Sequence, residues 1–108
     1  MALGWLRASH RELDPVKSTD HQPVLTHRRS QKLEPGAIVQ LDIELWASST
    51  RFDAGQGLRL ILQGSEINKY PKTSAHVYFR HEDTVNRGLH ILHTGGQYDS
   101  YLLVPKVS

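Results

Sequence analysis

The feature that most constrains the fold is a stretch of alternating apolar and polar side chains in the middle of the chain. Residues 37–46 place aliphatic side chains at odd positions and mostly polar ones at even positions, and residues 58–63 largely repeat the pattern. Such alternation is typical of a β-strand that buries one face. The side chains on the predicted buried faces are Val39, Leu41, Ile43, Leu45, Leu58, Leu60 and Leu62. We therefore expect an antiparallel strand pair that supplies the core layer, completed by Leu102 or Val104.

Glycine-containing turns precede both runs. Gly36 stands before the first run and Gly55 before the second. Further short runs rich in β-forming residues lie at 75–80, 89–94 and 98–104. Short strands at intervals of about ten residues, separated by Gly and Pro turns, predict an all-β sandwich.

The first third of the chain is harder to interpret. Residues 5–11 fit either a strand or a helix, and strand is preferred because Asp14-Pro15 follows closely and no helix cap precedes the segment. Residues 14–36 are polar and contain three prolines. A loop of this length exceeds most connections in compact domains, which stay under ~12 residues. We expect it to be functional or draped over a neighbouring surface, with Val24 and Leu25 pinning its middle.

Composition limits the function classes. The 108 residues suffice for one domain, and 13 basic against 11 acidic residues give a formal net charge of +2. The only basic cluster lies within residues 27–32 and has no interleaved aromatic residue, which argues against nucleic-acid binding. No apolar run approaches the ~18 residues of a membrane span, no signal-peptide pattern is present, and cysteine is absent. We expect a cytoplasmic protein that binds neither membrane nor nucleic acid.

Three stretches together resemble a known family. They are residues 4–11 (Gly-Trp-Leu-Arg-Ala-Ser-His-Arg), residues 33–60 with their Leu-Glu-Pro-Gly and Leu-Trp-Ala-Ser-Ser-Thr-Arg-Phe segments, and residues 93–105 (His-Thr-Gly-Gly-Gln-Tyr-Asp-Ser-Tyr-Leu-Leu-Val-Pro). This ordered set is similar to the C-terminal non-catalytic domain of the X-Pro dipeptidyl-peptidase and cocaine-esterase type serine hydrolases. The resemblance covers nearly the whole chain.

The resemblance implies a jelly-roll β-sandwich of the galactose-binding-like kind. In the family this domain follows an α/β-hydrolase domain, packs near its substrate cleft, and begins several strands before the Gly-Trp-Leu-Arg motif. Residues 1–108 are therefore expected to be one C-terminal sandwich domain that is incomplete at its N-terminal side: a fragment, a split gene product or a truncated gene model. The implied partner is an α/β-hydrolase catalytic domain in the same or a separate chain, and unpaired strand edges predict self-association.

We expect no catalytic residues in the chain itself. A hydrolase of this kind needs a serine on a Gly-x-Ser-x-Gly elbow, and the sequence has none. A triad would have to be assembled from residues without any motif; the candidates are Ser9, Ser100, Asp99, His10 and His93. Metal and cofactor sites are not expected either. His90 and His93 would face opposite sides of a strand, His76 and His81 straddle a strand end, and no carboxylate completes a set.

The candidate inter-domain contact residues are Arg7, His10, Arg11 and Trp46. Trp46 has the parity of the polar face of its run, so it projects away from the predicted core. Either residues 14–36 cover this face as a loop, or the face meets another domain or chain. An exposed Trp also leaves open a different class of function, an autonomous carbohydrate-binding module, by fold-level analogy.

Overall fold

The computed structural model describes residues 2–64 and 89–107. The chain divides into two compact units, Met1–Phe52 (unit 1) and Asp53–Ser108 (unit 2). The described residues contain one short 3₁₀ helix, Ala8–His10, and three isolated antiparallel bridges, Leu13 with Leu25, Thr19 with Gln22, and Gly95 with Tyr98. The rest of the described chain is turn, bend or irregular backbone, so this part is mostly non-helical and has little regular strand.

Unit 1 is organised by a hairpin between residues 12 and 26. The backbone N–H of Asp14 donates to the carbonyl oxygen of Val24 at 2.8 Å, and the N–H of Thr26 donates to that of Glu12 at 3.0 Å. At the far end, Thr19 and Gln22 exchange backbone hydrogen bonds of 3.0 and 3.3 Å. The first half of the predicted long loop is therefore a closed hairpin, which packs against its own chain.

Short-range polar contacts shape the hairpin. The Asp14 carboxylate accepts hydrogen bonds from the N–H groups of Val16 and Lys17, at 2.9 and 3.1 Å. Such Asx geometry holds the chain in a turn straight after Asp14-Pro15. The Ser18 hydroxyl both donates to the Val24 carbonyl, at 3.2 Å, and accepts from the Val24 N–H, at 2.9 Å. The Ser18 side chain thus serves as the hydrogen-bond partner of the Val24 N–H, in place of a backbone group on the other arm of the hairpin.

The strand predicted over residues 5–11 is wrong for residues 8–10. There the backbone forms the 3₁₀ turn Ala8–His10, with a 2.8 Å hydrogen bond from the His10 N–H to the Arg7 carbonyl. The Arg11 guanidinium donates to the Ala8 carbonyl at 3.0 Å. This bond satisfies one of the carbonyls that a short helical turn leaves without a backbone partner, and it stabilises the turn over an extended conformation.

The glycine turns that precede the two alternating runs are confirmed. In unit 1 the Ala37 N–H donates to the Glu34 carbonyl at 3.0 Å, and Gly36 has φ +80°. In unit 2 the Gln56 N–H donates to the Asp53 carbonyl at 3.0 Å, and Gly55 has φ +85°. Positive φ at the third turn position requires glycine, since a Cβ is disfavoured there.

The predicted core is not buried. Val39, Ile43 and Leu102 are half-buried, but Leu41 and Leu45 are each 38% exposed, and the remaining predicted core side chains are more exposed than that. No residue of the described part falls in the buried class. The physical reason is that neither run pairs into a ladder among the described residues. Without a ladder there is no sheet face to stack on a second layer.

Unit 2 is more open still within its described part, residues 53–64 and 89–107. A tight turn joins Gly95 to Tyr98 through a 2.9 Å hydrogen bond, and Gly95 and Gly96 both have positive φ, +79° and +57°. The central residues of this turn are Gly96 and Gln97, and the positive φ at the first of them is accommodated by glycine at that position. Only Tyr98 and Leu102 are half-buried among these residues; the others are exposed.

The strand predicted over residues 75–80, the turn-rich loop before it and the connection after it lie outside the described residues, as do His76 and His81. Within the described ranges, no helix is long and apolar enough to cross a membrane.

Candidate functional site: an aromatic and acidic groove

The N-terminal segment of unit 1 lies against the central run. The Trp46 N–H donates to the Leu3 carbonyl oxygen at 2.9 Å. Gly4 faces the backbone of residue 44, so closely that a Cβ added at Gly4 would collide with the Glu44 carbonyl oxygen and press on the Leu45 side chain. Glycine is therefore required at position 4 by close backbone approach.

This contact places the two tryptophans of the chain side by side. The rings of Trp5 and Trp46 have centroids 4.8 Å apart and planes inclined at 66°, an edge-to-face arrangement. Such pairs contribute about 0.5–1.5 kcal/mol beyond the area that they bury. Trp46 nevertheless remains 64% exposed, and Trp5 39%. The pair thus combines a fixed geometry with accessible ring surface.

A groove of about 400 Å³ opens beside the pair. Hairpin residues 22–25 and His27 contribute to its lining. The rest of the lining comes from Trp5 and from Asp42, Glu44 and Trp46, three alternate residues of the central run. The predicted alternation is confirmed here, because the even-numbered side chains do share one face. The size is in the range of small-ligand pockets.

Residues 22–25 and Trp46 line the same groove, but the indole stays 64% exposed, so the loop does not cover it. A contact of this face with another domain or chain stays a prediction.

The two carboxylates that line the groove accept only weak hydrogen bonds from the described residues. The Glu44 carboxylate accepts one long hydrogen bond, 3.4 Å, from the Gln22 side-chain amide. The Asp42 carboxylate accepts hydrogen bonds of 3.3 and 3.4 Å from the Gln40 amide. Neither carboxylate has an ion-pair partner within the described ranges. Two negative charges therefore face a groove whose lining includes no Lys or Arg.

Behind the groove, polar contacts hold the base of the hairpin. The Glu12 carboxylate accepts from the Thr26 hydroxyl at 2.8 Å and forms an ion pair with Arg29 at 3.0 Å. These contacts, the Thr26 hydrogen bond foremost, lower the pKa of Glu12. Hydrogen bonds from the N–H groups of Lys17 and Val16 likewise lower the pKa of Asp14. Both carboxylates are thus held in their charged form in the folded hairpin.

The four predicted contact residues are placed differently from one another. Arg7 is exposed and Trp46 lines the groove. Arg11 is half-buried, and its guanidinium donates to the backbone carbonyls of Ala8 and Gln31, at 3.0 and 2.7 Å. Its side chain is thus engaged within unit 1. A contact role for these residues stays a prediction.

His10 is the fourth predicted contact residue and lies half-buried next to His27. The ring centroids are 5.7 Å apart, and the Nδ1 atom of His10 is buried with no hydrogen-bond partner among the described residues. His27 itself adopts a positive φ of 50°, unusual for a residue with a Cβ. The side chain of His10 is thus more enclosed than that of the exposed Arg7.

Within unit 2, the candidate catalytic residues Ser100 and His93 do not form a nucleophile–base pair. The Ser100 hydroxyl donates to the backbone carbonyl of His93, at 3.2 Å, while the His93 ring lies against Tyr98 at 5.2 Å between centroids. A Ser-His dyad needs the hydroxyl to face an imidazole nitrogen. Residues 2–64 and 89–107 also contain no group of three or more His, Asp or Glu side chains that could hold a metal ion.

Sequence reasoning identified Trp46 but missed the groove. In the sequence, Asp42 and Glu44 are polar positions of the central run, and Trp5 belongs to the Gly-Trp-Leu-Arg motif. One sequence feature pointed to this arrangement: Trp46, Asp42 and Glu44 all occupy even-numbered positions of the alternating run, so their side chains are expected on one face. What the sequence did not indicate is that the hairpin and Trp5 line one groove together with these side chains.

The fold and the groove thus define a mostly non-helical module without an assembled catalytic group in its described part. The family model of the X-Pro dipeptidyl-peptidase C-terminal non-catalytic domain matches residues 2–103, and the chain belongs to this family. No curated protein and no solved structure matches it. The family is that of an accessory domain of an X-Pro dipeptidyl-peptidase-like enzyme.

Proposed function

We propose that this chain is the accessory, non-catalytic domain of a serine hydrolase of the X-Pro dipeptidyl-peptidase or cocaine-esterase type. The parent enzyme would hydrolyse X-Pro peptide, ester or amide bonds. In this proposal the accessory domain adopts a galactose-binding-like jelly roll when it is packed against an α/β-hydrolase catalytic domain. It buttresses that domain and helps to shape the substrate cleft.

The observation that carries the proposal is the family match over residues 2–103. The exposed apolar side chains of unit 2 support it. Leu89 is 93% exposed and Ile91 73%, and Leu58, Leu60 and Tyr101 are also largely exposed. Side chains of this kind clustered along short segments mark surfaces that are covered by another protein. In this proposal, the catalytic domain of the parent enzyme is the protein that covers these side chains.

The experiment combines the purified chain with an X-Pro dipeptidyl-peptidase from which the C-terminal domain has been deleted. We expect a stoichiometric complex by size-exclusion chromatography with light scattering. We also expect a lower KM for X-Pro p-nitroanilides, because the accessory domain shapes the cleft. The matched control is the same truncated enzyme with an unrelated β-sandwich domain. An absence of both complex formation and kinetic change would reject the proposal.

The exposed indole of Trp46 supports one alternative function, that of an autonomous carbohydrate-binding module. Aromatic rings beside carboxylates and amides suit the apolar face and the hydroxyls of a sugar, and Trp46 stands beside Gln22, Asp42 and Glu44. Glycan binding by the isolated chain, lost in Trp46→Ala and kept in Phe52→Ala, would favour this alternative.

A further inference from the structure

The groove of unit 1 carries a charge that the described chain does not neutralise. Asp42 and Glu44 both line it, and among residues 2–64 and 89–107 their hydrogen bonds come only from neutral amides, at 3.3–3.4 Å. His27 is the one other titratable side chain that the described residues contribute to the lining. A ligand that enters this groove therefore meets negative charge, and a cation is the complementary ligand.

The aromatic pair indicates which kind of cation would bind in the groove. The edge-to-face contact with Trp5 holds the indole of Trp46 beside the carboxylates, while 64% of Trp46 remains accessible. Cations are attracted to an indole face, and tryptophan is the strongest of the aromatic partners. Guanidinium has the planar shape to stack on the ring while its N–H groups donate to a carboxylate.

The spacing of the acidic residues fits an extended ligand. Residues 42 and 44 are alternate positions of the central run and line the groove together. In an extended backbone such positions repeat at about 6.6 Å. A groove of about 400 Å³ accommodates one long side chain with its adjoining backbone. Pro23, Val24 and Leu25 also line the groove and offer apolar contacts to the aliphatic stem of that side chain.

We propose that this groove binds an arginine side chain presented by an extended segment of a partner protein. The guanidinium stacks on Trp46 and pairs with Glu44 or Asp42, and the methylene stem packs against the hairpin. The negative charge of Asp42 and Glu44 is complementary to the positive charge of arginine, and this favours arginine over a neutral ligand. The proposal goes beyond the accessory role, because it names the side chain that the groove binds, whichever protein presents it.

The test uses the intrinsic fluorescence of the full chain, since its two tryptophans both line the groove. The probe is the tripeptide acetyl-Gly-Arg-Gly-amide, compared at constant ionic strength with the same peptide carrying citrulline, which has the shape of arginine without its charge. We expect saturable quenching by the arginine peptide, weaker binding of a lysine peptide, and no saturable effect of the citrulline peptide. Added salt is expected to weaken the arginine signal.

Matched variants locate the site. Asp42→Asn and Glu44→Gln remove charge while keeping shape, and each is expected to weaken arginine binding by about three- to tenfold. Glu34→Gln removes an exposed acidic charge of the same unit outside the groove and is expected to leave binding unchanged. The urea midpoint of each variant shows whether a loss of binding is caused by a loss of folding. Because Asp42→Asn and Glu44→Gln are made separately, each tests the proposal on its own.

Three results would overturn the proposal. One is equal quenching by the citrulline peptide, which would show that charge is not recognised. Another is unchanged affinity in both charge variants when their urea midpoints match that of the parent chain. The third is saturable binding of a neutral disaccharide with no response to arginine, which would assign the groove to sugars. Complex formation with a truncated hydrolase is measured separately, so either proposal can fail alone.

Discussion

The guanidinium of Arg11 donates a 2.7 Å hydrogen bond to the backbone carbonyl of Gln31, twenty residues further along the chain. The backbone reinforces this link, because the Gln31 N–H donates to the Ser9 carbonyl at 2.7 Å. Together with the bond from Arg11 to Ala8, these contacts join the 3₁₀ turn to the end of the segment that follows the hairpin. Arg11 therefore acts as a clamp inside unit 1.

Arg11→Met should destabilise unit 1. The substitution keeps much of the aliphatic stem and removes the donors to two carbonyls, and hydrogen bonds from charged groups contribute about 1.5–3 kcal/mol. Urea unfolding followed by tryptophan fluorescence measures the loss. Arg7→Met is the control, because Arg7 is exposed and surface changes stay within about 0.5 kcal/mol. Equal midpoints for both variants would show that the clamp contributes nothing.

Gly4→Ala should separate the two tryptophans. The new methyl group would meet the Glu44 carbonyl oxygen, which is backbone and cannot rotate away, so the N-terminal segment must shift. We expect a weaker near-ultraviolet circular dichroism signal and a loss of about 1–3 kcal/mol, typical of forced overpacking. Gly57→Ala is the matched control, since an added Cβ there meets nothing within 4 Å. An unchanged dichroism spectrum in Gly4→Ala would contradict the close approach.

Unit 1 should lose stability in acid. The pKa values of Glu12 and Asp14 are lowered in the folded chain below their ordinary values of 4.5 and 3.8. The unfolded chain therefore binds protons more readily, so this stabilisation is present above about pH 4.5 and is lost as the pH falls through the lowered values. Urea midpoints measured from pH 6 downwards check the slope. The double variant Glu12→Gln, Asp14→Asn should flatten the profile, and an equally steep profile would refute the assignment.

The isolated chain should self-associate through unit 2. Leu89 and Ile91 are 93% and 73% exposed, and apolar side chains of this kind favour contact with another chain. Light scattering across a dilution series should show a mass that rises with concentration, and Leu89→Ser with Ile91→Ser should lower it. The substitutions Lys106→Ser and Asp99→Ser, at exposed polar positions of the same unit, serve as the control. A monomer at every concentration would defeat this prediction.

The chain alone should not hydrolyse X-Pro p-nitroanilides or aryl esters. Acyl transfer needs an activated nucleophile and donors for the oxyanion, and the Ser100 hydroxyl is directed at a backbone carbonyl. Labelling with a serine-directed fluorophosphonate is a second readout and should also be negative. A labelled serine whose replacement by alanine abolishes turnover would overturn the non-catalytic assignment.

The sequence predicted the turns and the alternation of the central run well. Gly36 and Gly55 occupy the positive-φ turn positions, and Asp42, Glu44 and Trp46 share one side. Both features are local, and they follow from the absence of a Cβ in glycine and from the two-residue period of extended backbone. This is why a single sequence sufficed for them.

Tertiary pairing was predicted less well. The hairpin of residues 12–26 was missed, because its closure depends on Ser18 replacing a backbone partner and on Glu12 reaching Thr26. Neither contact follows from periodicity. The predicted core failed for a related reason: alternation specifies which side chains share a face but not what covers that face.

The division into two units also separates the aromatic residues by type. Both tryptophans, Trp5 and Trp46, belong to unit 1, and all four tyrosines of the chain belong to unit 2. The protein therefore contains a natural donor and acceptor for resonance energy transfer, with tyrosine as donor and tryptophan as acceptor. Tryptophan emission excited through tyrosine registers the distance between the units without any label. The proposed docking onto a catalytic domain can thus be tested as a change in energy transfer within this chain.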